Sequence, residues 1–238
     1  MEIPASFTTQ RGDRRKPRPI VVREELDTAQ AGALLERVAA VRWSELYHAY
    51  GPAADVPAQL AAVIAGDDAT RAEAWWNLWG NILHQGTVYE ATVPAVPVLL
   101  AIAGWRQHPD REQAISMLRE AAATEDIRVW RYDGAGAIVS DPQAQRRLHA
   151  ALHVTVNAGA ESLLRRWRAE PAVVQRALLW LLSVLPVLRS EHEALVAEVL
   201  PSRHRPAWEI ETARAAHSQD DADAVFALED WIHAGGEG

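Results

Sequence analysis

The hexapeptide VPAQLA at residues 56–61 returns as VPVLLA at residues 96–101, with four of six positions identical at an offset of 40 residues. The offset continues through a polar turn into a second apolar segment. It aligns Arg71 with Arg111, Ala74 with Ala114, Leu78 with Leu118, and Ile82 with Ala122. Internal similarity at a constant period of this length is typical of chains built from stacked structural repeats.

Each forty-residue unit has the pattern of two helices. An apolar helix begins near a proline, a short polar turn contains Asp67 and Asp68 or Asp110, and a second helix begins near arginine. Asp67 and Asp68 fit the turn and the cap of the second helix. Over about residues 55–123, the motifs Val-Pro-x-x-Leu, the aspartate-containing turn and Arg-x-x-Ala resemble the HEAT-repeat family. The sequence HQGTVYEAT at 84–92 is also similar to a segment of bacterial HEAT-repeat proteins of unassigned function.

This resemblance, together with apolar residues at helical spacing, predicts an all-α fold. The expected architecture is a right-handed α-α superhelix, a HEAT-like solenoid of about five helix pairs. Residues 28–238 would form this single domain, with a break near residues 133–136. The later predicted helices are Ser162–Trp167, Pro171–Leu185, Glu191–Leu200, Ala207–Ala216 and Asp221–His233.

Residues 1–27 are predicted to form a basic, partly disordered arm. Residues 1–23 hold six basic and two acidic side chains, a net charge of +4. The formal net charge of the whole chain is −8, so residues 24–238 carry −12. An acidic body makes nucleic acid an unfavourable main partner, because phosphate binding requires a basic face. It favours a basic protein partner, since complementary charge speeds association.

The composition of the chain is that of a globular protein, with 49% hydrophobic and 24% charged residues. There is no cysteine, which excludes disulfides and thiolate zinc sites and suits a reducing compartment. No secretory signal pattern is visible, and the longest apolar runs are shorter than the roughly 20 residues of a membrane span. We therefore expect a cytoplasmic protein that does not associate with membranes.

The stretch WWNLWGNILHQGTVYEATVPAVP, residues 75–97, provides the candidate site. A helix over Ala69–Gln85 is predicted, with Gly86 in the left-handed conformation just beyond it. Packing between repeats explains most of its tryptophans, and the alternative is that an exposed Trp76 stacks on a ligand. For Asn77, Asn81 and His84, on the polar side of this helix, the alternative is a structural role. In that role Asn81 holds the following turn and His84 bonds to a carbonyl of the next loop. The candidate binding residues, expected on the concave face, are Trp76, Asn77, Asn81, His84 and Tyr89.

Other patterns give no catalytic residues and no cofactor. His149 and His153 lie one helical turn apart, but no third ligand completes a zinc motif, so no metal is predicted. The sequence contains no nucleotide-binding loop and no nucleophile elbow. HEAT-like DNA glycosylases for alkylated bases use tryptophan, arginine and aspartate on this architecture, and WRYD at 130–133 with Trp167-Arg168 supplies those residue types. No residue-by-residue match to that family's motif exists.

Three functional hypotheses follow. The first is a protein-binding scaffold without catalysis, one version of which is an immunity or toxin-neutralising protein. The second is an enzyme or ligand binder that uses the concave face, with the glycosylase as its most concrete form. The third is a scaffold that acts only through its basic arm. The sequence favours the first, because it combines a repeat architecture and an acidic body with no catalytic motif.

Overall fold

The computed structural model describes residues 27–124, 127–132 and 138–199, and within them the chain is predominantly helical. The prediction of an all-α protein is confirmed at this level. The helices are α1 Thr28–Ala39, α2 Val56–Ala65, α3 Asp68–Ile82, α4 Thr92–Gly104, α5 Arg111–Ala123, α6 Pro142–Leu164, α7 Ala172–Ser183 and α8 Arg189–Val199. Single 3-10 turns occur at Trp43–Glu45, His84–Gly86, Trp167–Ala169 and Pro186–Leu188.

Short strands connect several of the helices, and these were not expected from the sequence. They are β1 Tyr47–His48, β2 Gly51–Pro52, β3 Val88–Tyr89, β4 Ile127–Arg128, β5 Trp130–Tyr132 and β6 Ile138–Ser140. Each pairs with one neighbour: β1 with β2 and β5 with β6 in antiparallel fashion, and β3 with β4 in parallel. Pairs this short carry no alternating pattern that a sequence could reveal.

Aspartates begin several helices by accepting hydrogen bonds from otherwise unpaired backbone N–H groups. Asp67 caps α3 by accepting from the N–H of Thr70 at 2.8 Å, as predicted. The bonds from Thr70 lower the pKa of Asp67. Asp27 caps α1 and Asp141 caps α6 in the same way. The polar turns of the sequence therefore mark helix starts, which sets the direction in which each helix leaves its turn.

Helices α2 and α3 pack as a pair, and α4 and α5 pack as the next pair. Residues 40 positions apart occupy matching environments in the two pairs: Val56 and Val96 are fully buried, as are Leu78 and Leu118. Beyond them α4 packs against α6, and α5 packs against α7. The buried side chains form one hydrophobic cluster that extends from Leu34 in α1 to Leu188.

Two buried arginines at the same offset tie successive parts of this core together. Arg71 donates to the carbonyl of Gly66 at 2.8 Å, and its Nε donates to Asp110 at 2.7 Å. Arg111 donates to the carbonyl of Ala103 at 2.8 Å, and its Nη1 lies 2.7 Å from Glu170 Oε2. Each guanidinium therefore joins the end of the preceding helix to a carboxylate further along the chain.

The helix boundaries depart from the prediction at two places. Helix α3 ends at Ile82 rather than at Gln85, because Leu83 (φ −134°, ψ 37°) leaves the helical conformation and the left-handed Gln85 (φ 50°) cannot resume it. The predicted left-handed conformation of Gly86 (φ 73°) is confirmed. Ser162–Trp167 is not a separate helix, because α6 runs without interruption from Pro142 to Leu164. Close packing of Gly159 on Leu100 of α4 accompanies this long helix.

The remaining predictions for the later helices have mixed outcomes. Helix α7 ends at Ser183, two residues before the predicted end, and α8 lies close to the predicted Glu191–Leu200. The basic arm, residues 133–136, Ala207–Ala216 and Asp221–His233 lie outside the described residues.

Within the described chain, no single helix is long and apolar enough to cross a membrane. The helices Ala172–Ser183 and Pro186–Leu195 reach that length and composition only as a pair, which is bent by 111° at its break.

Candidate functional site

Helix α3 and the segment that follows it, through β3, place the five candidate residues in different environments. Its apolar face is formed by Ala74, Trp75, Leu78 and Ile82, all at most 5% exposed, in agreement with the predicted packing role. Trp76 projects away from this face and is 79% exposed. Among the described residues it is the most exposed large hydrophobic side chain. The aromatic stretch thus combines core residues with one indole that the core does not use.

A surface pocket of about 350 Å³ lies between α3 and the beginning of α5. We call it the tryptophan pocket; its lining residues are Asp68, Ala72, Trp75, Trp76, Trp79, Asp110 and Gln113. Residues 68, 72, 75, 76 and 79 follow helical spacing along α3 and therefore share one side of it. The pocket thus presents indole surface and carboxylates together at the junction of the two helix pairs.

The polar wall of the tryptophan pocket is held in place by Arg71. Its Nη2 donates to Asp68 Oδ1 at 2.6 Å and its Nε donates to Asp110 Oδ2 at 2.7 Å. The indole N–H of Trp75 donates to the same Asp110 oxygen at 3.0 Å. Arg71 is 5% exposed, so the guanidinium that joins these two carboxylates lies inside the protein.

His108 anchors the loop that carries Asp110. Its Nδ1 accepts from the backbone N–H of Asp110 at 3.1 Å, and its Nε2 therefore carries the proton and donates to the carbonyl of Val63 at 3.0 Å. The ring is 3% exposed, and burial lowers the pKa of His108 below its ordinary value of 6.5. The neutral imidazole joins α2 to the pocket loop.

Asn81 and His84 lie on a different surface, against the β1–β2 hairpin. Asn81 Nδ2 donates to Asp55 Oδ2 at 2.9 Å, and the backbone carbonyl of Asn81 accepts from Ala49. Asn81 was expected to hold the turn after α3, but its amide reaches back to the preceding pair instead. His84 Nδ1 lies 3.1 Å from the hydroxyl of Tyr50, not at a loop carbonyl as expected.

Asp55 collects hydrogen bonds from three side chains, and this cluster is structural. It accepts from Gln59 at 2.8 Å and from His48 Nε2 at 2.9 Å as well as from Asn81. The other nitrogen of His48 accepts the backbone N–H of Tyr50 at 3.0 Å. Both nitrogens of this 5% exposed ring are therefore engaged within the protein.

The remaining candidates differ in their exposure. Asn77 is half-buried, and its side chain makes no hydrogen bond within the described chain. Tyr89 was expected on the binding surface, but its side chain is only 6% exposed, because the chain enters β3 there and turns into α4. Thr92 braces this turn by accepting from the N–H of Tyr89 and donating to the carbonyl of Ile82.

Two further constellations can be located. The Nε2 atoms of His149 and His153 lie 3.2 Å apart on α6, and burial, then the charge of His149, lowers the pKa of His153. The described residues contain no group of three or more His, Cys, Asp or Glu side chains arranged for a metal. For the glycosylase alternative, Trp167 is buried and Arg168 pairs with Glu198, so this dipeptide does not present an open stacking surface.

The sequence indicated Trp76 but not the carboxylates beside it. Asp68 and Asp110 were interpreted only as turn residues, and Asp55 and Tyr50 were not singled out. A partner such as Asp110 could have been predicted. Arg71 and Arg111 recur at the repeat offset, and a buried guanidinium requires a carboxylate or carbonyl partner.

Comparison with protein-family models, with curated proteins and with solved structures finds no match. The geometry of the chain itself therefore provides the argument for its function.

Proposed function

We propose that this protein is a non-catalytic protein-binding scaffold whose helix pairs form a HEAT-like right-handed solenoid. The observation that carries the proposal is Trp76, 79% exposed at the rim of a pocket between two helix pairs. A large aromatic residue left in water costs hydration free energy that burial against a partner recovers. Tryptophan is also among the residues that most often dominate the energy of protein interfaces.

The internal use of the titratable groups supports binding rather than catalysis. His48 and Asn81 both donate to Asp55, and Arg71 and His108 make bonds that hold helices together. Recurrence of the α2–α3 contacts in α4–α5 at the forty-residue offset supports the repeat architecture. The charge of −12 on residues 24–238 supports a basic partner, and neutralisation of a basic toxin is one specific form of this role.

Affinity capture from the native cell, followed by mass spectrometry, tests the proposal. Trp76→Ser removes the exposed indole without touching the core, and Val154→Ser, at a 69% exposed position on α6, is the matched control. A protein partner retained by the wild type and by Val154→Ser, but depleted with Trp76→Ser, is expected. If all three chains retain the same proteins, or if none retains a protein while the wild type turns over a small molecule, the proposal is wrong.

A further inference from the structure

Helix α6 carries a stripe of polar side chains that the proposed function does not use. Gln145, His149, His153 and Asn157 follow one another at four-residue spacing, so they lie one turn apart along the same side of the helix. The stripe runs beside the apolar face that includes the fully buried Leu152, and both histidine rings are half-buried. Two imidazoles are therefore held together at the edge of the core.

The two histidine rings meet through their Nε2 atoms. These atoms lie 3.2 Å apart, and the ring centroids are separated by 4.3 Å with the ring planes inclined at 46°. At this distance only one Nε2 can carry a hydrogen, which it donates to the lone pair of the other. At least one ring therefore presents an unprotonated nitrogen to the gap between them. Neither ring makes a hydrogen bond to any other group in the described part of the chain, so the pair does not hold other elements in place.

The separation of the two nitrogens matches that of two imidazoles bound to one metal ion. Zinc–imidazole bonds are about 2.0–2.1 Å long, so two ligands at an angle of about 90–110° have nitrogens about 2.9–3.4 Å apart. The observed 3.2 Å lies within this range. An ion can therefore take the place of the hydrogen between the rings after rotation of the side chains alone. That hydrogen then moves to Nδ1, which gives the other tautomer of the same neutral ring.

The ligand type selects the class of ion. Imidazole nitrogen suits zinc, copper and nickel, whereas calcium and magnesium prefer oxygen ligands. For such nitrogen sites Cu²⁺ is generally bound more tightly than Ni²⁺ or Zn²⁺. Two protein ligands leave the other positions of the ion to water. The helix surface beside the pair is open to solvent, since Val154 is 69% exposed.

Asn157 supplies a hydrogen-bond acceptor at the next position of the stripe. Its Oδ1 atom is buried, and it has no hydrogen-bond partner among the described residues. A buried acceptor without a partner costs free energy. Histidines that bind a metal through Nε2 usually donate their Nδ1–H to a carboxylate, a carbonyl or water. The amide oxygen of Asn157, one turn beyond His153, is an acceptor of this kind.

We propose that His149 and His153 chelate a divalent transition-metal ion through their Nε2 atoms, with Cu²⁺ bound more tightly than Ni²⁺ or Zn²⁺. Asn157 is a positioning residue, which accepts the Nδ1–H of His153 and fixes the tautomer that binds the ion. The site shares no residue with the tryptophan pocket. Metal binding on α6 is therefore independent of the proposed scaffold function, and either can fail without the other.

The test uses the full chain without a histidine tag. Zn²⁺, which is diamagnetic, is titrated against the ¹⁵N-labelled protein while the imidazole nitrogen signals are followed by NMR, with His149→Gln and His153→Gln used for assignment. The Nε2 signals of both residues are expected to shift together, before those of the other histidines. Substoichiometric Cu²⁺ should broaden the same two rings first, even with Zn²⁺ present. Mg²⁺ at the same concentration should shift neither.

The two assignment variants also measure the contribution of each ligand. His149→Gln and His153→Gln should each weaken Zn²⁺ binding at least about tenfold, since even the outer partners of metal ligands contribute about 10–100-fold to affinity. Asn157→Leu should weaken binding by about tenfold, the lower end of that range, while both Nε2 signals still shift.

The matched control keeps the number of histidines and changes their spacing. His153→Gln/Val154→His leaves two histidines on α6 at a separation of five residues, which no longer lie on one side of the helix. It should bind Zn²⁺ as weakly as His153→Gln alone, and Val154→Ser should bind as tightly as the wild type. Urea unfolding without metal checks that each variant folds. Added Zn²⁺ should raise the unfolding midpoint of the wild type and of Val154→Ser more than that of the spacing variant, because an ion that binds the folded chain stabilises it.

Several outcomes overturn the inference. If Zn²⁺ shifts only one of the two rings, or shifts other histidines first, the pair is not a chelate. Equal affinity of the wild type and the spacing variant would assign binding to independent surface histidines. Equal shifts with Mg²⁺ would show a response to charge alone. Unchanged affinity in Asn157→Leu would show that Asn157 does not position His153.

Discussion

His108 shows how much a single buried side chain can depend on its protonation state. In the folded protein both ring nitrogens are engaged, one as acceptor and one as donor, and the neutral form is the one that fits. Protonation would place a donor against the N–H of Asp110 in an interior that solvates charge poorly. The loop that carries the tryptophan pocket is therefore sensitive to pH through a residue that does not line it.

The stability of the protein is expected to fall as the pH falls below about 6.5. Burial lowers the pKa of His108 in the folded state, so the unfolded chain binds more protons in the window below 6.5. The contribution of His108 is fully present above that value and is lost as the pH falls toward the folded-state pKa. Urea unfolding at pH 7.5 and 5.5 should show this loss, and His108→Gln should show a smaller one.

His153 contributes to the same pH dependence, since burial also lowers its pKa and its effect on stability has the same sign. The double variant His108→Gln/His153→Gln should lose less unfolding free energy between pH 7.5 and 5.5 than His108→Gln alone. An unchanged pH dependence in His108→Gln would contradict the assignment.

At the scale of single residues, the sequence predicted burial better than it predicted polar partners. Helical spacing placed Trp75, Leu78 and Ile82 in the core, because burial follows the period of the helix alone. It could not predict that Asn81 reaches Asp55 or that Tyr89 is buried. Those positions depend on short strands and on left-handed residues, whose placement depends on packing between elements distant in sequence.

Helices α4 and α6 approach so closely at Gly159 that no larger residue fits there. A Cβ atom at this position would lie 2.5 Å from Leu100 Cδ1 and 2.9 Å from its Cγ. Rotation of the leucine can move the methyl groups, but the Cγ atom stays near the main chain of α4. The contact explains why a glycine is retained within a helix of 23 residues, where alanine has the higher intrinsic propensity.

Gly159→Ala is expected to destabilise the protein by about 1–3 kcal/mol, the usual cost of overpacking a core. Gly80→Ala in α3 is the matched control, because its added Cβ meets no atom within 4 Å. Both substitutions gain the same helix propensity, so Gly80→Ala should stabilise by roughly 0.4–1 kcal/mol. Thermal and urea unfolding of the two variants measure the difference. A stabilising Gly159→Ala would show that the two helices are not in close contact.

At the scale of elements, the caps were predictable and the long helix was not. Asp67 and the left-handed Gly86 follow local rules that act over four or five residues. The continuity of α6 depends on its contacts with α4, α5 and α7, which override the local signals near Ser162. The forty-residue offset gave two helix pairs because each unit repeats its own local pattern.

The buried ion pair of Arg111 and Glu170 joins α5 to the turn before α7. The two side chains are 6% and 2% exposed, and Arg166 Nε lies 3.6 Å from the same glutamate. Removal of one partner leaves a charge in the interior, whereas removal of both leaves none. The pair is therefore a test of how firmly the second half of the described chain is joined to the first.

Arg111→Met is expected to cost about 3–5 kcal/mol of unfolding free energy, because Glu170 then loses its main counter-charge. The double variant Arg111→Met/Glu170→Leu should recover much of that loss. Urea denaturation of the wild type, the two single variants and the double variant gives the coupling energy. If the losses of the single variants simply add in the double variant, the two side chains do not form a coupled pair.

The bonds of Arg71 and Arg111 have a consequence for where the chain can be shortened. Each arginine joins the end of the preceding helix to a carboxylate further along the chain, Asp110 for Arg71 and Glu170 for Arg111. These two carboxylates are not related by the forty-residue offset, so removal or addition of one unit does not regenerate both pairs. Deletions within α2–α5 should therefore be poorly tolerated, because they leave a buried guanidinium without its carboxylate.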